Sequence, residues 1–543
     1  MAPGERKVSA MRVDTPNRGS MRGPNGVAAC DHPLAAQAGF ATLLRGGSAA
    51  DAVVVMGAVM AVVQPFYSHL GGDMFAMTFD AGDGKVGALN SSGPAPLAAT
   101  ADNYRALGRI PDNGPLAVTI PGCVGGWWEL HRAKGRLPWA SLFDAATGYA
   151  RDGFPASRQL AGQVIAGRQR VYPSGAFKET FGGIAHDGGQ GVYQPALART
   201  LQAVAAGGAD AFYSGDIRSA CLASLNGRGG AFSEAEWVSP AAWETPISAG
   251  FEGATVHTQP PPPHGFVLPL ALKLYSRLLR DRPGANISLL QHEALDHAFA
   301  LRHQLAGDPR TTGFDAAALV ANPPPNPARK LEAGIAGGDT TYILAIDSQG
   351  NAVSMIQSVF APWGSGLLVP ELGVFMNNRM CSFSLKPGHP NELAGGKRPI
   401  HTLHSYLVTV EPPPMLPLQE KMGESRAASL LAAGGTPGAM QQPQTNLQVL
   451  DNLLRLRMDP QDALDAPRWS LDHFGRGPMA EREVAVEWRD PDAIGDAFRS
   501  AGFTVEQFPS WDHRMGRAYL AAHGPAGWSA AADLRGEGTA LVF

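Results

Sequence analysis

The hydrophobic pattern along the 543-residue chain switches between helical and strand periods several times. Residues 26–30 read as a short strand, residues 34–44 carry helical spacing, and residues 49–63 form an apolar helix that serves as core scaffolding. Ser48, with Asp51 three residues on, makes a near capping box ahead of that helix, and Pro65 closes it. Residues 74–79 and the segment ending at Leu89 read as two strands joined across Asp83-Gly84. Residues 141–225 are mostly helical. Residues 239–265 return to extended structure, ending in a rigid proline run, Pro260 to Pro263, before His264 and a helix from about Phe266. Residues 341–347 (TYILAID) read as a buried strand, Ser348-Gln349-Gly350-Asn351 as a turn, and residues 352–360 (AVSMIQSVF) as the returning strand. Thr340 stands at the mouth of this hairpin. Residues 1–25 are polar with alternating charge, which predicts disorder. Residues 310–339, rich in proline and polar side chains, read as an exposed, mobile linker in front of Thr340.

Composition narrows the function. Hydrophobic residues at 44% allow a large core, and a net charge of -4 gives no electrostatic case for nucleic acid or an anionic membrane. The most apolar run, residues 52–63, is too short to span a bilayer. The first residues lack an apolar centre, so no secretory signal is predicted and a cytoplasmic location is expected. Cys30, Cys123, Cys221 and Cys381 have no CxxC spacing and read as isolated thiols. His401 and His404 share a spacing seen in metal sites but lack an acidic or cysteine partner, so neither a metal nor a cofactor is expected. His264 is either a loop histidine without a task or part of a pocket wall. The paired glycines Gly71-Gly72 lack the lysine and serine of a phosphate loop and predict close backbone packing.

Thr340 carries the candidate chemistry. A threonine hydroxyl is a poor nucleophile without a base, but cleavage of the chain before it frees its own α-amine, with a pKa of about 7.7 to 8.0. On its own, a Thr-Thr pair at a strand start is equally a matter of β-propensity.

Further motifs decide between these readings. Gly46-Gly47-Ser48-Ala49-Ala50-Asp51-Ala52, Gly71-Gly72 with Phe75, Pro121-Gly122, Ala150-Arg151-Asp152-Gly153-Phe154, Thr340-Thr341, Gly364-Ser365-Gly366, Asn377-Asn378, Lys397-Arg398-Pro399 and Gly435-Thr436-Pro437-Gly438 occur in this order. In order and spacing they resemble the γ-glutamyltranspeptidase family, from about Gly26 to the C-terminus. The resemblance implies an α+β Ntn-hydrolase fold of αββα layers, with two stacked, mostly antiparallel sheets between helices. It implies autocleavage between Asp339 and Thr340 into a large chain, residues 26–339, and a small chain, residues 340–543, that stay together as a heterodimer; further association is left open. Thr340 is then the nucleophile, Ser358 aligns with a supporting hydroxyl, and Gly438 with Ala439 falls on the pair whose N-H groups stabilise the oxyanion. Alanine in the second place keeps the N-H but restricts φ.

The substrate anchors depart from the family. Ser92 lies in a segment with no carboxylate-binding arginine. Arg379 and Ser382 replace the ammonium-binding glutamine and aspartate, His401 and Thr402 replace a Ser-Ser pair, and Phe360 replaces an asparagine. Arg379 repels an ammonium, which argues against a γ-glutamyl head group. The replacements resemble a second branch of the family containing acylases and small-amide hydrolases. Arg379 is read either as the cation for an acyl carboxylate or keto acid, or as half of an internal ion pair. The expected function is cleavage of an amide, or an activated C-C bond, in a small non-γ-glutamyl substrate. The alternatives are a genuine γ-glutamyltransferase or glutathione hydrolase, and an unprocessed scaffold.

Overall fold

The computed structural model describes residues 18–171, 174–325, 338–411, 428–473, 477–478, 482–489 and 491–543. Fourteen strands build two sheets of seven. In chain order they are β1 (Met21–Gly23), β2 (Val27–Cys30), β3 (Asp73–Phe79), β4 (Val86–Ser91), β5 (Ala242–Glu244), β6 (Ile247–Phe251), β7 (Ala254–Thr258), β8 (Thr341–Ile346), β9 (Ala352–Ser358), β10 (Ser405–Val410), β11 (Ser429–Gly435), β12 (Tyr519–Gly524), β13 (Gly527–Ala532) and β14 (Thr539–Val542). One sheet runs β14-β2-β8-β9-β3-β4-β5 and the other β1-β13-β12-β11-β10-β7-β6, with antiparallel pairing throughout.

Period-two alternation assigns each face its neighbour. On β8, Tyr342, Leu344 and Ile346 meet Leu407, Ala433, Tyr519 and Ala521 of the facing sheet. Ile343 and Ala345 point the other way, into a helical layer. That layer contains α1 (Pro33–Leu44) and α2 (Ala49–Val63). Every residue of α2 is buried, as a helix apolar on all sides requires. Its capping box is complete: Ser48 Oγ accepts from Asp51 N, and the Asp51 carboxylate accepts from Ser48 N. Gly57 lets α2 lie against β9, since a Cβ there would stand 2.8 Å from Gln357 Oε1. The second sheet is covered by α3 (Val267–Asp281), α4 (Ile287–Leu305) and α5 (Gln441–Leu450). The layers are αββα.

Two sequence readings change in detail. Order begins before residue 26, because β1 pairs with β13. Within residues 310–339, Pro309–Thr312 and Ala316–Ala321 form short helices capped by Asp308 and Asp315; residues 326–337 lie outside the described set. Residues 511–516 are a loop with one 3₁₀ turn, and the closing strands start at Tyr519. Gly71-Gly72 packs as expected: Cβ atoms would stand 2.2 Å from Phe375 O and 2.5 Å from Ser358 O. Among the described residues, no helix is long and apolar enough to cross a membrane.

Candidate active site

The hairpin β8–β9 is closed by a five-residue turn in which Asp347 Oδ1 accepts from Gln349 N and Asn351 N, and Gly350 takes φ +84°. Its open end is where the candidate residues gather. Thr340, 1% exposed, precedes β8. Thr341 Oγ1 donates to Ser68 Oγ at 3.1 Å; Gln357, opposite Thr341 in register, also donates to Ser68 and accepts from Trp127 Nε1. These ties fix where the hairpin mouth begins.

Asp339 is held on every side. Its N-H donates to Phe360 O at 2.9 Å, and its Oδ1 accepts from Thr340 N at 2.8 Å. Arg517 grips the same carboxylate with two hydrogen bonds, Nη1 to Oδ2 at 2.9 Å and Nη2 to Oδ1 at 3.0 Å. Asp31 Oδ2 lies 3.7 Å from Arg517 Nη2, and the Tyr67 ring centre 5.2 Å from Cζ. Burial opposes the Arg517 charge, but Asp339 and Asp31 outweigh it and hold the guanidinium above its ordinary value. Burial pushes Asp31 up to about 7 against the pull of Arg517.

Ser358 meets the Asp339-Thr340 peptide directly. Its Oγ donates to the Asp339 carbonyl oxygen at 2.8 Å and accepts from Phe360 N at 2.8 Å. Because the Phe360 N-H occupies a lone pair of the hydroxyl, the hydroxyl proton is left to point at the carbonyl.

Gly438 and Ala439 follow β11 and take φ +119° and +50°, so the alanine adopts the left-handed region. Their N-H groups donate to no other group among the described residues. The loop is tied to Asp339 through Thr436, whose Oγ1 accepts from Arg517 N at 2.9 Å.

The predicted substrate residues form a second group next to the first. Register places Asp73 opposite Ser358, and Arg379 Nε lies 3.5 Å from Asp73 Oδ2. The Arg379 guanidinium sits over the Phe360 ring at 4.5 Å, with Nη1 and Nη2 lacking hydrogen-bond partners among the described residues. Ser382 Oγ and both His401 ring nitrogens are buried and likewise lack hydrogen-bond partners among the described residues. Burial brings Arg379 down to about 10 and pushes Asp73 up to about 7, and burial beside Arg379 holds the His401 imidazole well below its ordinary value. His264 joins this wall: its N-H donates to His401 O, and its ring packs on His404. Thr402 is buried in the same segment. Ser92 is the exception in chemistry, because its hydroxyl is spent on Asn90 Oδ1 at 2.8 Å; its neighbour Gly93 donates to Asp73 Oδ1 at 3.3 Å. Among the described residues, no three His, Cys, Asp or Glu side chains are grouped to hold a metal ion.

Sequence reasoning gave no role to Asp31, Ser68, Asp73 and Arg517, nor to Thr436 beyond its place in a family motif. The available signal for Arg517 was a charge set directly against the apolar run of β12; for Asp73, a carboxylate opening the otherwise apolar β3.

A family model described as gamma-glutamyltranspeptidase matches residues 35–543. The oxamate amidohydrolase proenzyme of Klebsiella pneumoniae is 31% identical over 540 residues, covering 96% of this chain and 98% of its own length. The glutathione hydrolase-like proenzyme YwrD of Bacillus subtilis is 31% identical over 532 residues, covering 94% and 97%. The crystal structure of cephalosporin acylase from Bacillus halodurans superposes with a TM-score of 0.84 at 28% identity, covering 98% of both chains. The chain belongs to the γ-glutamyltranspeptidase family and is an enzyme built on the Ntn-hydrolase fold.

Proposed function

We propose that the chain cuts itself before Thr340 and that the resulting N-terminal threonine cleaves amides of small, non-γ-glutamyl acids. In the first step the Thr340 hydroxyl adds to the Asp339 carbonyl carbon, the C-N bond breaks, and the leaving nitrogen, which keeps its own hydrogen, takes the hydroxyl proton to become the new α-amine. Water then hydrolyses the Asp339 ester and restores the hydroxyl. In turnover the α-amine takes the hydroxyl proton, an acyl-enzyme forms, the amine leaves with that proton, and water releases the acid. The N-H groups of Gly438 and Ala439 are the donors for the oxyanion. Arg379, over the Phe360 ring, and Ser382, His401 and Thr402 form the wall that receives the acyl group.

The observation that carries this reading is the Ser358 hydrogen bond to the Asp339 carbonyl oxygen, which polarises the one peptide bond that must break. The relatives named as an oxamate amidohydrolase and a cephalosporin acylase support an amide substrate without a glutamyl head. A relative named as glutathione hydrolase-like keeps a γ-glutamyl substrate as the second reading, and turnover of a γ-glutamyl anilide separates the two. Intact mass under denaturing conditions tests the first step. The wild-type protein should give two chains meeting at Asp339 and Thr340, and Thr340→Ala a single chain; one uncut chain in both overturns the reading.

A further inference from the structure

We infer that Arg517 is the carboxylate-binding residue of the cut enzyme and that Asp339 fills its place in the uncut chain, which rests on the cleavage reading above. The two side chains are 3% and 2% exposed and meet as a two-pronged fork on a carboxylate, at 2.9 and 3.0 Å. This is the two-point geometry by which arginine recognises a carboxylate. The carboxylate so held is also the acceptor for Thr340 N, so it lies between the guanidinium and the atom that becomes the α-amine.

Cleavage changes the balance at this point. Asp339 acquires a second negative charge, its new α-carboxylate, within a site that already holds Asp31. It also loses its covalent tether to β8. Asp31, at 3.7 Å, and the Tyr67 ring leave the two fork donors of Arg517 without an acceptor once Asp339 withdraws. Asp31 balances the charge but supplies no hydrogen bond, so the two buried fork donors favour a replacement carboxylate, because a buried donor without an acceptor is costly. The replacement must also present a carbonyl to Thr340.

Asp339 itself describes the acid that fits. As the acyl group of the first ester, it carries a carboxylate two carbons from the reacting carbonyl. The class inferred is therefore short monoamides of dicarboxylic acids, with one end an amide and the other a free carboxylate. Arg379 sits over the Phe360 ring and is already paired with Asp73, whereas Arg517 holds the side chain of the residue whose peptide bond is to break.

Self-cleavage provides a test that does not depend on turnover. Asp339→Ala should cut at least tenfold more slowly than wild type by intact mass, and added acetate should restore a saturable part of the rate. The double variant Asp339→Ala with Arg517→Gln should show no restoration. Acetate should also raise the melting temperature of Asp339→Ala in the Thr340→Ala background, where nothing cuts, and leave Thr340→Ala alone unchanged. In the cut enzyme, Arg517→Gln, or Arg517→Lys should the glutamine variant stay uncut, should raise KM for succinamate more than tenfold and leave KM for uncharged succinamide in place. Cleavage of Asp339→Ala at the wild-type rate, absence of any saturable acetate effect, or equal KM changes for both amides overturns the inference. An uncut wild-type chain overturns the cleavage reading itself, and is recognised separately.

Discussion

Ser358 joins two functions in one hydroxyl: it closes β9 at its register partner Asp73, and it donates to the Asp339 carbonyl. A donor aimed at a carbonyl where negative charge develops is worth roughly 10² to 10³ in rate. Ser358→Ala is expected to slow self-cleavage by about 10²-fold, and Ser358→Thr to retain most of the rate, measured as the time course of chain appearance by intact mass. Thr340, Ser358, Gly438 and Ala439 were nominated from family motifs and their alignment, and the structure puts Ser358 on the Asp339 carbonyl oxygen next to Thr340. Arg517 was not, since 178 residues separate it from Asp339 and the two meet through the stacking of the sheets, Asp339 ahead of β8 in one and Arg517 ahead of β12 in the other. Ser92 shows the opposite failure: motif position nominated it, while the Asn90 side chain takes its hydroxyl.

Among elements, the β8–β9 hairpin and α2 are joined at one side chain. Asp347 accepts from two N-H groups of its own turn, from Ala49 N at the start of α2, and from Arg136 Nη2. Removing a fully buried carboxylate that satisfies so many donors leaves them without partners, at about 1 to 3 kcal/mol for the worst placed of them. Asp347→Ala is therefore expected to lower stability by about 3 kcal/mol, read from urea unfolding in the uncut Thr340→Ala background. Both joined elements were legible from pattern, because an apolar run with a capping residue and a strand-turn-strand sequence are local signals. The short helices at Pro309–Thr312 and Ala316–Ala321 were hidden, since their starts are set by Asp308 and Asp315 caps within proline-rich polar sequence and they lack an apolar stripe long enough to read.

For the molecule as a whole, buried histidines set the response to acid. Burial lowers His32 and His257 to about 4 and His69 and His404 to about 3, and holds His264 and His401 well below the ordinary value. The unfolded chain takes up these protons near pH 6.5 while the folded chain does not, so their contribution is present above 6.5 and is lost as pH falls toward 4. Asp31 and Asp73, raised to about 7, and Asp465, raised to about 6, act in the opposite sense, but they are fewer. Stability should fall between pH 6.5 and 5, seen as a lower urea midpoint, with a shallower fall in His404→Gln. The layer architecture was legible only through the family motifs, because helical and strand periods alone do not say which strands share a sheet.

The strand order carries one more consequence. Both sheets interleave strands from before and after residue 339: β2 lies between β14 and β8, and the β10–β13 run is flanked by β1 and β7. Neither segment closes a sheet alone. A chain cut at that point cannot shed one part without breaking hydrogen-bonded strands in both layers. Its loss of structure is also a dissociation, so that recovery, once a unimolecular event, becomes a bimolecular one that slows with dilution.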